Sequence, residues 1–258
     1  MTIAFDKYQG AGNDFIIVDG RGNVLDPGDA GLIRRLCDRR FGVGADGLIL
    51  ILPSDRADYE MRYFNADGRA GSMCGNGGRC AARCALRWKI AGPRQRFLAY
   101  DGLHEAEVAG DSVRLRLSDV RGYRMVEGHY ALDTGSPHLV IFAPGIDEID
   151  VAAEGRRWRR SPLFAPGGTN VNFVETTPEG LSIRTFERGV EGETWACGTG
   201  VTASAIASAL RAGAGGGPVE VRARGGRLKV EFEIRGDLVT NIWLTGPATL
   251  VFTGSIEA

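Results

Sequence analysis

The chain repeats itself. Displaced by 123 residues, Cys74-Gly75-Asn76-Gly77 falls on Cys197-Gly198-Thr199-Gly200. At the same displacement Gly12-Asn13, ahead of the apolar run Phe15–Val18, falls on Gly135-Ser136, ahead of Leu139–Phe142. Phe41 falls on Phe164 and Gly44 on Gly167, and one residue out of register Arg62-Tyr63-Phe64-Asn65 matches Arg184-Thr185-Phe186-Glu187. Motifs that recur in one order at nearly one offset mark an internal duplication, which confines the fold to two copies of one plan. The copies meet near Ser118–Tyr123. The expected domains are 1–120, carrying Cys74, and 121–249, carrying Cys197, with a terminal strand at 250–258 that can complete the first half.

Within each copy strands outnumber helices. Short apolar or alternating runs at Phe15–Val18, Gly47–Leu52, Tyr59–Phe64, Val113–Leu117, Leu139–Phe142, Val171–Val174, Leu181–Phe186, Leu228–Ile234 and Leu238–Leu244 predict strands. Helices are expected over Gly31–Arg39, Asn76–Lys89 and Thr199–Arg211, while Ile146–Val151 is too short to assign. Val201–Leu210 is small or aliphatic all the way round, as a helix buried on every side would be. The other long helix carries Arg79, Arg83 and Arg87 at four-residue spacing, which predicts one polar stripe. The fold class is therefore α+β: two pseudo-symmetric α/β domains, each a small sheet wrapped around a central helix, with the active site expected in the cleft between them.

Composition narrows the function classes. A chain of 258 residues with 43% hydrophobic and 24% charged residues has the profile of a globular protein. Its net charge of −1 provides no general basic surface for nucleic acid. Arg156-Arg157-Trp158-Arg159-Arg160 is the one basic cluster, expected on a solvated loop or strand edge. Met1–Phe15 holds no apolar run long enough for a signal peptide or membrane span, so a cytoplasmic protein is expected. An odd count of five cysteines in such a chain argues against a disulfide framework.

Cys74 and Cys197 each precede small residues that open a predicted helix. The first N–H groups of a helix lack intrahelical partners and carry the positive end of its dipole. A cysteine there has its thiolate stabilised, and bare amides beside it accept a carboxylate or phosphate. Two such sites allow one thiolate to take a proton from one face of a carbon while the other thiol delivers one to the opposite face. That is the chemistry of a two-base racemase or epimerase. A zinc site would want four ligands in short pairs, whereas Cys74, Cys80 and Cys84 have five and three residues between them. A redox pair, without any Cys-x-x-Cys, and a nucleophilic cysteine with His138 as its base remain the alternatives. Cys37, Cys80 and Cys84 read as core residues.

The stretches GAGNDFIIVD, FNADG…MCGNGGRC, GSPHLV, TNVNFVE and FERGVEGETWACGTG resemble the diaminopimelate epimerase family from residue 8 to about 203. The resemblance implies two similar α/β domains with one catalytic cysteine from each, no cofactor and no metal. It implies a small-molecule amino-acid substrate, LL- or meso-2,6-diaminoheptanedioate; the alternative is racemisation of another amino acid such as histidine or a hydroxyproline. A homodimer is compatible with the family, and neither a nucleic-acid nor a membrane partner is expected. Carried over by position, Cys74 and Cys197 are the proton-transfer pair, and Gly75, Asn76, Gly198 and Thr199 hold the carboxylate at the reacting carbon. Asn13, Asn65 and Asn170 fix the amino and carboxylate groups, Glu187 and Arg188 complete the pocket with Arg188 on the distal carboxylate, and His138 and Glu187 modulate the cysteines. The chain departs from the commonest pattern at Gly47, where a glutamine is frequent, and at Ser136, where GNPH is usual. Asp67-Gly68-Arg69-Ala70 and a longer loop before Cys197 differ as well. Gly47 and Ser136 are therefore where the pocket is expected to be enlarged or rewired.

Overall fold

Phe15-Ile16-Ile17-Val18 is buried at every residue rather than at alternate ones, which requires a sheet covered on both faces. The computed structural model, which describes residues 2–22, 25–71 and 73–257, supplies both covers. Two compact units emerge, Met1–Leu115 with Gly246–Ala258, and Arg116–Thr245.

In the first unit the strands are β1 (Thr2–Gly10), β2 (Asn13–Asp19), β3 (Gly47–Leu52), β4 (Tyr59–Asn65), β5 (Arg94–Ala99), β6 (Gly102–Ala109), β7 (Ser112–Arg116) and β18 (Thr249–Glu257). Helix α1 (Ala30–Cys37) joins β2 to β3, and α2 (Gly75–Arg87) joins β4 to β5. The strand order is β18-β1-β2-β3-β4-β5-β6-β7. The pairs β2–β3 and β4–β5 are parallel and the other five antiparallel. Ile16, Val18, Leu48 and Leu50 pack with Ile33 and Leu36 of α1. On the opposite face Phe15, Ile49 and Met61 lie under Gly77 of α2. Successive strand residues point to opposite faces, so each helix covers one set.

The second unit contains β8 (Val120–Arg121), β9 (Arg124–Val126), β10 (His129–Asp133), β11 (Pro137–Phe142), β12 (Asn170–Thr177), β13 (Gly180–Glu187), β14 (Gly192–Thr194), β15 (Val219–Ala223), β16 (Gly226–Arg235) and β17 (Leu238–Pro247). Its helices are α3 (Val151–Arg159) and α4 (Gly198–Ala212). Its order β9-β10-β11-β12-β13-β15-β16-β17 repeats the first unit's senses pair by pair, with β11–β12 and β13–β15 parallel. Helix α3 covers the face of Leu139, Ile141, Val171, Phe173 and Phe186. The duplication read from the motifs is thus a repeated topology.

The central helices start one residue earlier than predicted, at Gly75 and Gly198, and α4 is buried from Gly200 to Ala207 as expected. Three readings change. The basic cluster lies on α3 rather than on a loop or strand edge: Asp150 caps the helix by accepting from Ala153 N, Arg157 pairs with Glu154 and stacks on Trp158, and Arg159 bonds Glu191. Strand β1 went unread because its interior is polar. Buried Asp6 bonds Arg87 and buried Lys7 bonds Asp14, which breaks the apolar pattern. Nor does the row of arginines on α2 form one stripe, because Arg79 is fully buried while Arg83 reaches Asp111. Among the described residues no helix is long and apolar enough to cross a membrane.

Candidate active site

Cys74 is the N-cap of α2 and Cys197 the N-cap of α4, with nearly the same extended backbone (φ −108°, ψ 118° and φ −109°, ψ 111°). The first intrahelical bonds run from Gly78 N to Cys74 O (2.8 Å) and from Val201 N to Cys197 O (2.9 Å). The amides of Gly75, Asn76 and Gly77, and of Gly198, Thr199 and Gly200, therefore have no acceptor inside their helices. Small residues are required at two first-turn positions. A Cβ on Gly200 would stand 2.4 Å from Asn172 Oδ1, and one on Gly78 2.7 Å from Met73 Cε.

In the first unit the polar groups form a directed chain. Arg79 Nη2 donates to Asn76 Oδ1 (2.7 Å), Asn76 Nδ2 to Asn13 Oδ1 (3.4 Å), and Asn13 Nδ2 to Asp46 Oδ2 (2.5 Å). Cys74 Sγ donates to the same Asn13 Oδ1 at 3.6 Å. Asp46 and Asp14 are both held by Arg39, and Asp14 also by Lys7. Burial would raise the Asp14 carboxyl, but the hydrogen bonds from Arg39 and Lys7 hold it down at about 2. Asn65 is exposed, and its backbone closes the turn to Gly68 and Arg69. Across β2, β3 and β4 it shares a row with Phe15 and Gly47.

Gly47 does not enlarge this half of the site. A Cβ there would lie 2.4 Å from Tyr63 Cε2 and from Phe64 O, and one on Gly71 would lie 2.5 Å from Tyr63 Cδ1. The Tyr63 ring occupies the slot that these two glycines leave, edge-on to Phe15 at 6.0 Å between centroids.

In the second unit the equivalent row is His138, Asn170 and Glu187. His138 is buried, and its Nε2 meets Thr199 Oγ1 (2.9 Å) and Ser136 Oγ (3.0 Å). Thr199 Oγ1 in turn lies 3.4 Å from Cys197 Sγ. Asn172 Oδ1 accepts from Thr185, so its Nδ2 faces His138 Nδ1 (3.1 Å) and Leu139 O (3.0 Å). That assignment puts the imidazole proton on Nε2. Burial, with Arg188 adding to it, pushes His138 down to about 3, so the ring is neutral. Glu187 is raised by burial, which hydrogen bonds from Thr194 and Cys197 partly offset. Asn170 Nδ2 donates to Ser136 Oγ and Pro137 O while its Oδ1 accepts from Arg188 N, so its amide joins three parts of the site wall. Among the described residues the Arg188 guanidinium hydrogen-bonds only Gly167 O, at 3.4 Å.

Sequence reasoning passed over Arg79 as a site group, along with Asp46, Tyr63 and Asn172. Asn172 was within reach, two residues beyond Asn170 on one strand and hence on the same face. The others depend on which side chains burial brings together. Cys37, Cys80 and Cys84 are buried thiols, raised to about 12 or beyond by burial. Among the described residues no group of three or more His, Cys, Asp or Glu is placed to hold a metal ion.

Comparison with known proteins bears on this arrangement. The family model described as diaminopimelate epimerase matches residues 5–116 and 130–251. A diaminopimelate epimerase of Flavobacterium psychrophilum is 44% identical over 97% of this chain and 98% of its own. One of Archaeoglobus fulgidus is 39% identical over 100% of this chain and 97% of its own. Among solved structures, a Bacillus anthracis phenazine biosynthesis protein of the PhzF family aligns with a TM-score of 0.78 at 15% identity, covering 100% of both chains. A hydroxyproline epimerase from Agrobacterium vitis, with bound trans-4-hydroxy-L-proline, aligns at 0.68 and 16% over 99% of this chain and 92% of its own. Those two likenesses concern the fold alone. The two full-length relatives and the matched family model, together with paired N-cap cysteines on a duplicated topology, establish that the chain belongs to the diaminopimelate epimerase family of isomerases.

Proposed function

We propose that this protein interconverts LL- and meso-2,6-diaminoheptanedioate without a cofactor, with Cys74 and Cys197 acting in turn as base and acid on one α-carbon. The observation that carries this reading is the pair of N-cap cysteines, each beside three helix-start amides. One thiolate takes the α-proton and becomes a thiol. The electron pair left on carbon spreads into the adjacent carboxylate, where helix-start N–H groups stabilise the developing charge. The opposite thiol returns a proton to the other face and becomes the thiolate, so the configuration inverts and the next turnover runs with the roles exchanged. Asn13, Asn65 and Asn76 are the groups on the Cys74 side that meet the reacting end. Arg188, which no carboxylate pairs among the described residues, takes the distal carboxylate of a substrate with two amino-acid ends. This choice favours a dicarboxylate over histidine or a hydroxyproline.

Incubation with LL-diaminoheptanedioate in deuterated water tests the reading. Deuterium is expected at the α-carbon as the meso isomer appears, and replacing either cysteine by alanine should lower net epimerisation by about 10²–10⁴-fold or more. Near-normal turnover by either variant would reject the two-base mechanism. Exchange into histidine or hydroxyproline but not the dicarboxylate would reject the substrate.

A further inference from the structure

Among the described residues Arg79 is a buried cation without an ion pair. Its side chain is 0% exposed, yet its partners are neutral: Asn76 Oδ1 (2.7 Å), Gly75 O (3.4 Å) and Pro247 O (3.5 Å). Among the described residues no carboxylate pairs with it, whereas its helix neighbours Arg83 and Arg87 reach Asp111 (2.8 Å) and Asp6 (3.1 Å). Arginine does not escape burial by losing its proton, and an uncompensated buried charge is strongly unfavourable. Its guanidinium also lies against the first turn of α2, where the helix dipole disfavours a cation. Both terms are relieved by an anion at the start of that helix; a bound substrate's carboxylate is one, and in the free protein the group there able to become one is Cys74.

The second unit lacks the counterpart. The position equivalent to Arg79 is Thr202, whose hydroxyl donates to Gly198 O (2.9 Å), the carbonyl equivalent to Gly75 O. Beside Cys197 stands the carboxyl of Glu187 instead, which Cys197 hydrogen-bonds. The two helix starts match in backbone and differ in charge.

The remaining charged groups on the elements packed against α2 come in balanced sets or point away. Lys7, Asp14, Arg39 and Asp46 form one cluster of two cations and two anions, Asp6 pairs with Arg87, and Asp19 at the end of β2 pairs with Arg21. On β4, Glu60 and Arg62 pair with each other on the face opposite Met61. On β6, Glu105 and Glu107 alternate with the buried Ala106 and Val108, His104 bonds Asp101, and Glu257 on β18 bonds Thr2 at the far end of that strand. Asn13 Oδ1, facing Cys74 Sγ, works in the opposite direction, as a neutral dipole against a full charge.

We propose that Arg79 is a positioning residue that supplies the standing positive charge of the Cys74 half-site, making Cys74 rather than Cys197 the resting thiolate of the pair. It does so directly and by orienting Asn76, whose carboxamide oxygen it holds so that the amide nitrogen faces Asn13 Oδ1, the same oxygen that Cys74 Sγ meets. The inference rests on the proposed function only in treating both thiols as working acid–base groups, and its test needs no substrate.

The full-length chain is alkylated with iodoacetamide across a pH range, with each modified cysteine located by mass spectrometry. Cys197→Ala reports on Cys74, and Cys74→Ala on Cys197. The Cys74 rate should reach half its plateau at clearly lower pH than the Cys197 rate. Adding Arg79→Met should move the Cys74 profile upward and cut its rate at neutral pH about tenfold, since one unit of pKa changes the thiolate fraction by that factor. Arg79→Lys, which keeps the charge, should restore most of the rate. A Cys197 midpoint at or below that of Cys74, or an unmoved profile with Arg79→Met, would overturn the proposal. If Arg79→Met does not fold, the comparison of the two cysteines decides alone. The expected order of acidities in a protein that exchanges no amino-acid α-proton would remove the proposed function and leave this inference standing.

Discussion

His138 shows how much a single position is defined by its surroundings. Asn172 faces Nδ1, while Thr199 and Ser136 receive Nε2–H, so the ring links the sheet to the start of α4 without carrying charge. Its folded pKa of about 3 lies below the ordinary value of 6.5. Between those limits the unfolded chain binds a proton that the fold refuses, so this residue's contribution is intact above the unfolded pKa and falls as pH drops toward 3. Asp14, held at about 2, keeps its own stabilisation until pH falls below its unfolded value near 4. Glu187, raised by burial, works in the opposite direction within the window but is shared by any His138 variant. The urea midpoint should therefore fall from neutral pH to about 4 more steeply in the parent than in His138→Gln. Parallel curves would show that the histidine is not held neutral. Cys74 and Cys197 were legible because they sit inside motifs repeated at one offset, whereas Asn13 and Thr199 were named through the family resemblance. Arg79 was not, because four-residue spacing reports a helix face and cannot report that one arginine of three is wholly buried. Tyr63 was hidden as well, since two glycines distant in sequence make room for it.

At the level of elements the two copies keep one backbone and divide the chemistry. The row that reads Phe15, Gly47 and Asn65 in the first unit reads His138, Asn170 and Glu187 in the second, at the same places beneath the helix starts. Gly77 and Gly200 occupy equivalent first turns over those rows but face different neighbours. A Cβ at 77 would meet Ile49 Cδ1 at 3.2 Å, Met61 Cε at 3.4 Å and Phe15 Cε1 at 3.5 Å, mostly the ends of flexible side chains. A Cβ at 200 would meet Asn172 Oδ1 at 2.4 Å, an atom held by Thr185. Gly77→Ala should thus be near neutral, with helix propensity offsetting a small repacking, whereas Gly200→Ala should cost about 1–3 kcal/mol by overpacking. Urea denaturation of both variants checks this, and equal effects would contradict it. The central helices were legible as elements because α4 is apolar on every side. Helix α3 was missed because its run of arginines conceals the few buried positions, Val151, Gly155 and Trp158, that dock it.

For the whole molecule the decisive link is the last strand. β18 pairs along nearly all of β1, from Thr2 opposite Glu257 to Gln9 opposite Thr249, and occupies in the first unit the place that β9 takes in the second. The second unit draws that strand from just before β10, whereas the first receives it from the far end of the chain. Without it β1 loses a full ladder of backbone hydrogen bonds and becomes an exposed edge. Removing residues 249–257 should therefore abolish soluble, cooperatively unfolding protein, although no residue of either half-site is deleted. Thr2 and Glu257 meet across this pairing, with Thr2 Oγ1 donating to Glu257 Oε1 at 2.6 Å. A short linker from 257 to 2, with new ends opened between the exposed Ser118 and Asp119, makes each unit continuous in sequence. Such a permutant should fold, with a thermal midpoint within a few degrees of the parent, and keep its activity. A truncated chain that stays soluble and unfolds cooperatively would show that β18 is not required to close the first sheet.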